Sequence, residues 1–126
     1  MTAPSLDPLT GELVTIDVSV AGSSAVLTAA GEIDSTSAPV LRQYLDSVLD
    51  DDVRELVIDL GQVSFLDSAG LCVLANAHRR AVRQDVRMRV LASSRAVARP
   101  LQITGLWDLL HAEHKAGDQQ VAQSVA

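Results

Sequence analysis

The run Leu56-Val57-Ile58-Asp59-Leu60 is nearly all apolar and sits between two stretches of helical spacing. Nothing else in the chain narrows its fold as much. A strand this apolar reads as one covered by helices on both faces of a sheet. Upstream, Leu41, Tyr44, Leu45, Val48 and Leu49 fall at i, i+3, i+4, i+7 and i+8, one face of a helix. Downstream, Leu71, Leu74, Ala77, His78 and Ala81 repeat that spacing as far as Gln84. A strand between two helices makes crossover connections, which are right-handed and bring successive strands parallel.

The rest of the chain extends the alternation. Val14, Ile16, Val18 and Val20 alternate with Thr15, Asp17 and Ser19, a half-buried strand. Gly22-Ser23-Ser24 signals a turn, and Ala25 to Ala30 is a second strand, giving an antiparallel hairpin. Gly31-Glu32-Ile33-Asp34 ends it. Ser35-Thr36-Ser37-Ala38-Pro39 then reads as a hydroxyl cap followed by a proline in the first turn. Val86, Met88 and Val90 form a later strand. Ser93-Ser94 caps a third helix running to Thr104, with Gly105 as its stop and Pro100 expected to kink or shorten it. Leu109 to Lys115 holds a short last strand.

The expected fold is therefore α/β. It is one domain with a mixed, mostly parallel sheet, an N-terminal antiparallel hairpin and three to five flanking helices. Residues 1–12 read as a flexible leader, 13–116 as the domain, and 117–126 as a tail or short helix.

Composition excludes several function classes. Sixteen acids against ten bases give a net charge of −6, which opposes binding to nucleic acid. Three aromatic residues in all leave little to stack on bases. Cys72 is the only cysteine, so no internal disulfide and no cysteine-based metal cluster forms, and a reducing compartment is expected. Met1 to Leu9 lacks the features of a signal peptide, and no apolar run approaches the ~20 residues that span a bilayer. The expectation is a cytoplasmic protein that needs no membrane.

Enzymatic motifs are also missing. There is no G-x-G-x-x-G turn, no phosphate-binding G-x-x-x-x-G-K-[ST] loop and no G-x-S-x-G elbow. His78 lies ten residues along the helix that Ser68 begins, about 15 Å away by helical rise, so Ser68 has no evident general base for hydrolysis. His111 and His114 with Glu113 make a weak metal pattern, because strand spacing splays the two rings. A phospho-aspartate receiver site wants a well-placed lysine, and Lys115 is the only one. The acidic run Asp50-Asp51-Asp52 reads as a solvated turn.

One feature remains, Asp67-Ser68-Ala69-Gly70-Leu71, a hydroxyl at a helix start. One reading makes Asp67 a helix cap, with Ser68 and Gly70 merely permitting a tight start. The other makes Ser68 an exposed acceptor for phosphate. The added charge of about −1.5 to −2 would be tolerated by the helix N-terminus but would spoil a docking surface.

At these residues the chain resembles the STAS domain family, specifically the bacterial anti-sigma factor antagonists. Three segments carry the likeness: Gly31-Glu32-Ile33-Asp34, then Leu56–Leu60 with Phe65-Leu66-Asp67-Ser68-Ala69-Gly70-Leu71, then Thr104-Gly105-Leu106. It spans about Val14 to Lys115. The resemblance implies a non-enzymatic protein without cofactor or metal. Such a protein binds an anti-sigma factor, often a serine kinase, and so frees a sigma factor. Phosphorylation switches it off and a serine phosphatase restores it. Carried onto this chain, Ser68 is the acceptor. Asp34, Asp67, Ala69 and Leu71 belong to the partner-binding surface, and Gly70 lets the partner's backbone approach. A monomer or weak dimer is expected. A role as a subunit of a STAS scaffold or sensor complex is the alternative. Ala69 stands where many members carry a second serine, leaving Ser68 as the only hydroxyl in the turn. Cys72 reads as a small buried apolar residue, with a redox-sensing thiol as the alternative.

Overall fold

The computed structural model describes residues Val14–Lys115, so the leader and tail expected at the two ends lie outside the described residues. The elements run β1 (Val14–Ala21), β2 (Ser24–Ile33), α1 (Ala38–Asp50), β3 (Glu55–Leu66), α2 (Ser68–Arg83), β4 (Arg87–Ala92), α3 (Arg95–Ile103), α4 (Leu106–Leu109) and β5 (Glu113–His114). The sheet order is β1-β2-β3-β4-β5. Only β1 and β2 pair antiparallel, and every later pairing is parallel. This is the α/β architecture expected from the sequence, with a mixed five-stranded sheet.

The hairpin turns on Gly22, whose φ of +63° is open to glycine at little cost. Ala21 pairs with Ser24, so only two residues make the turn.

One face of the sheet forms the core. Ala25, Leu27 and Ala29 of β2, Leu56, Ile58 and Leu60 of β3, and Met88, Val90 and Ala92 of β4 are all buried on it. Leu41, Leu45, Val48 and Leu49 of α1, with Val73, Leu74, Ala77 and Ala81 of α2, join the same cluster. Each large aliphatic side chain buried there contributes roughly 1.5–3 kcal/mol.

The opposite face corrects the expectation that helices cover both sides. Arg87 and Arg89 of β4 are exposed there, and Val57 is half-buried. Ion pairs span this face: Arg87 to Glu55 at 3.6 Å, Arg89 to Glu113 at 3.2 Å and Lys115 to Asp59 at 2.7 Å. Asp59, the one polar residue in the apolar run, marks this side. Its carboxylate is buried, held by Lys115 and by the Gly61 N–H at 2.9 Å.

Four local details differ from the expectation. The strand β3 runs on to Leu66 instead of ending at Leu60, because Val63 and Leu66 still point into the core and two register irregularities against β2 absorb the mismatch. Tyr44 is 41% exposed and is not part of the α1 core stripe. In α2 the stripe is turned so that Val73 is buried while Leu71 and His78 are half-buried. Asp50 is the last residue of α1 and pairs with Arg80 of α2, which also meets Asp46, so the acidic run is only partly a solvated turn.

The third helix spans Arg95–Ile103 with Pro100 inside it, and Gly105 takes φ +81° just past its end. The short helix α4 was not expected. It takes Leu109 out of the last strand, leaving β5 only Glu113 and His114.

Candidate functional site

The carboxyl ends of β2 and β3 meet at one pole of the sheet. There the Asp67 N–H donates to the Ile33 carbonyl at 3.1 Å, tying the start of α2 to the end of β2. The two segments singled out in the sequence, Gly31–Asp34 and Asp67–Leu71, are thereby brought side by side.

Asp67 is the N-cap of α2, with extended backbone. Its Oδ1 accepts from the Ala69 N–H at 2.9 Å and the Gly70 N–H at 3.3 Å. Two donors that lack helical partners are satisfied in this way. The capping half of the earlier reading therefore holds for Asp67. It leaves Ser68 as the first helical residue, with an exposed side chain. A group added to that oxygen projects into solvent beside the Asp67 carboxylate and needs no space inside the fold.

Asp34 makes the neighbouring turn. Its Oδ1 accepts from the Thr36 N–H at 2.9 Å and the Ser37 N–H at 3.1 Å. Those bonds, the one from Ser37 first, hold its carboxyl below the ordinary value of 3.8. Ser37 is buried and accepts from the Asp34 N–H at 3.0 Å while donating to the Glu32 carbonyl at 2.7 Å. It occupies the N-cap position of α1 without capping through its side chain, so the hydroxyl expected as a cap instead locks the turn before the helix. Asp34 thus presents a fixed negative charge beside the α2 start, with one oxygen committed to the backbone.

Gly70 has a packing role within the fold. It is buried. A Cβ there would run into Leu66 Cδ1 and come within 2.8 Å of Ile33 Cγ2. Its missing side chain lets the first turn of α2 seat on the ends of β2 and β3. Ala69 and Leu71 are half-buried and pack against the core. Cys72 is exposed, contrary to the buried reading. Helical geometry puts it on the same side as Ser68, four residues on.

Sequence reasoning passed over Phe65. It is the last residue but one of β3 and is 45% exposed, two residues before Asp67. A large aromatic left in solvent three residues before Ser68 is the kind of group that anchors interfaces. The sequence signal was faint: one aromatic residue in a strand end otherwise read as connection. Among the described residues, no cluster of three or more His, Cys, Asp or Glu side chains is arranged to hold a metal. No helix among them is long and apolar enough to cross a membrane.

A family model for the STAS domain matches residues 15–119. The anti-sigma-F factor antagonist RsfB of Mycobacterium tuberculosis is 38% identical over 93 residues, covering 74% of this chain and 75% of that protein. An anti-sigma-B factor antagonist of Staphylococcus aureus is 32% identical over 81 residues, covering 64% of this chain and 75% of that protein. Among solved structures, an anti-sigma factor antagonist from Mycobacterium paratuberculosis superposes with a TM-score of 0.75 at 33% identity, over 86% of this chain and 92% of that one. With the matched segment reaching from the first strand past the last, and the D-S-A-G turn at the junction of β3 and α2, the chain belongs to the STAS domain family.

Proposed function

We propose that this protein is an anti-sigma factor antagonist in the cytoplasm, acting by binding rather than by catalysis. It takes up an anti-sigma factor at the pole built from the ends of β2 and β3 and the start of α2. The observation that carries this reading is the exposed Ser68 hydroxyl at the first position of α2, flanked by the charges of Asp34 and Asp67 and the ring of Phe65. The names of the relatives support it.

The switch is phosphorylation of Ser68 by a kinase-type anti-sigma factor. Its Oγ forms a bond to the γ-phosphorus of ATP, the bond to the ADP oxygen breaks, and the hydroxyl proton passes to a base of the kinase. A phosphatase reverses the modification by hydrolysis. The added phosphate gains little from the helix N-terminus, because the Asp67 carboxylate already occupies the Ala69 and Gly70 N–H groups. It places about −1.5 to −2 further charges in a pole that already carries Asp34 and Asp67. Burying such a charge against a partner without a counter-charge is costly. A micromolar complex is worth about −8 kcal/mol, so a loss of about 3 kcal/mol weakens it more than a hundredfold.

The test is incubation with a kinase-type anti-sigma factor and ATP, followed by mapping of the phosphate by mass spectrometry. Phosphate at Ser68 is expected. Phosphate only at Ser35, Ser37 or Ser93 removes the assignment. In binding, Ser68→Ala retains the partner and Ser68→Asp loses it; equal affinities defeat the switch.

A further inference from the structure

The helix α2 has a second lengthwise face besides its core stripe. At 100° per residue, Ser68, Cys72, Ala75, Arg79 and Val82 lie within about 40° of one line. All are exposed except Ala75, which is half-buried. The line runs from the Ser68 pole to the far end of the helix, about 21 Å away by helical rise.

At that far end the surface changes character. A groove of about 510 Å³ is lined by Ala75, His78, Arg79, Val82, Arg83 and Leu109. Val82 is 64% exposed and Leu109 48%, an aliphatic pair left in solvent. Through His78 and Val82 the groove adjoins a second cavity of about 480 Å³ that reaches Arg87 and Arg89. Those two arginines are matched by Glu55 and Glu113. Arg79 and Arg83 have no ion pair among the described residues. Cations in a last helical turn suit the negative end of the helix. That accounts for Arg83, and Arg79 donates to the Asn76 side-chain oxygen, but neither accounts for the exposed aliphatic pair beside them. In a chain of net charge −6, a basic rim around exposed apolar side chains is a local reversal of the overall field.

We infer that this groove is a second contact site, which takes an acidic segment of the partner bearing an aliphatic side chain that lies between Val82 and Leu109. The occupant follows from the charge of the rim and from the continuity of the groove with the α2 face that starts at Ser68. The inference rests on the reading of the Ser68 pole as the partner-facing end. The carboxylates of the segment meet Arg79 and Arg83, and its aliphatic group covers the exposed pair. Interfaces of this make-up draw affinity from the apolar centre and orientation from the charged rim.

The experiment titrates the isotope-labelled full-length protein with a short synthetic peptide carrying two leucines flanked by glutamates, followed by amide shifts in NMR. The control peptide has serines in place of the leucines. Shifts are expected at Arg79, Val82, Arg83 and Leu109 with the leucine peptide, and much smaller ones with the control. Arg83→Glu and Val82→Ser, both at exposed positions, should each weaken binding about tenfold. Ser68→Asp should leave the titration unchanged. Equal binding of both peptides, shifts centred elsewhere, or full affinity in Arg83→Glu overturns the inference. None of these results bears on phosphate mapping at Ser68, so failure here is separable from failure of the Ser68 switch.

Discussion

Replacing Asp67 separates what that carboxylate does for the fold from what it does for a partner. Its Oδ1 holds the Ala69 N–H at 2.9 Å and the Gly70 N–H more weakly at 3.3 Å. Asp67→Ala strips both bonds and the favourable charge at the helix N-terminus. Loss of such a cap costs typically about 1 kcal/mol, within a range of roughly 0.5–2. With one good and one longer bond lost, about 1.5 kcal/mol is expected. Asp67→Asn keeps an acceptor oxygen in place and forfeits only the charge–dipole part, about 0.3–1 kcal/mol. Urea unfolding followed by circular dichroism resolves the two. The alanine variant should lose about 0.5–1.5 M in midpoint, for slopes of roughly 1–3 kcal/mol/M, and the asparagine variant about a fifth to two-thirds of that. Equal losses in the two variants would refute the capping account, because the carboxylate would then act only as a charge. An alanine variant as stable as the parent would refute it too. Partner binding read on the same proteins then reports the charge alone: Asp67→Asn, still capped, loses affinity only if the carboxylate touches the partner.

Three further outcomes follow from the same geometry. Phe65→Ala should leave stability nearly unchanged, since the ring is 45% exposed, yet weaken anti-sigma factor binding about tenfold or more; calorimetry showing undiminished affinity would take Phe65 out of the interface. The Asp34 carboxyl should titrate below 3.8 by NMR, because the Ser37 and Thr36 N–H groups favour its charged form. The sign is that of a depressed acid: its stabilisation is complete above about pH 3.8 and lost as pH falls through the folded value, so Asp34→Asn should flatten the stability profile only in that acid window. Lys115→Met leaves the buried Asp59 carboxylate with the Gly61 N–H but without its cation, and should cost about 2 kcal/mol, less than a fully buried pair because Lys115 is partly exposed. The double variant with Asp59→Leu should recover most of that loss, and a double variant as unstable as the single one would contradict it.

The succession of strands and helices was legible because it depends on local patterns. Leu56–Leu60 announced a central strand, and Asp67-Ser68 announced the start of a helix just past its end. What was not legible depends on groups distant in the chain. That only one sheet face is covered was hidden by Val57, which is apolar but half-buried; Asp59 was the sign, and it became readable only once Lys115 stood against it. The role of Gly70 required knowing that Ile33, from another strand, lies beneath it. Ser37 and Asp34 exchange bonds across a turn whose shape no periodicity encodes. The four-residue helix α4 is too short for any spacing to reveal.

The close seat of Gly70 decides how information can leave this pole. With Leu66 and Ile33 pressed where a side chain would otherwise stand, the first turn of α2 is packed directly on the ends of β2 and β3. On the proposed switch, a phosphate on Ser68 would then act at the surface, without a shift of the helix start beneath it. The mark would be read by a molecule that touches that spot, as a stamp whose face changes while its shape does not.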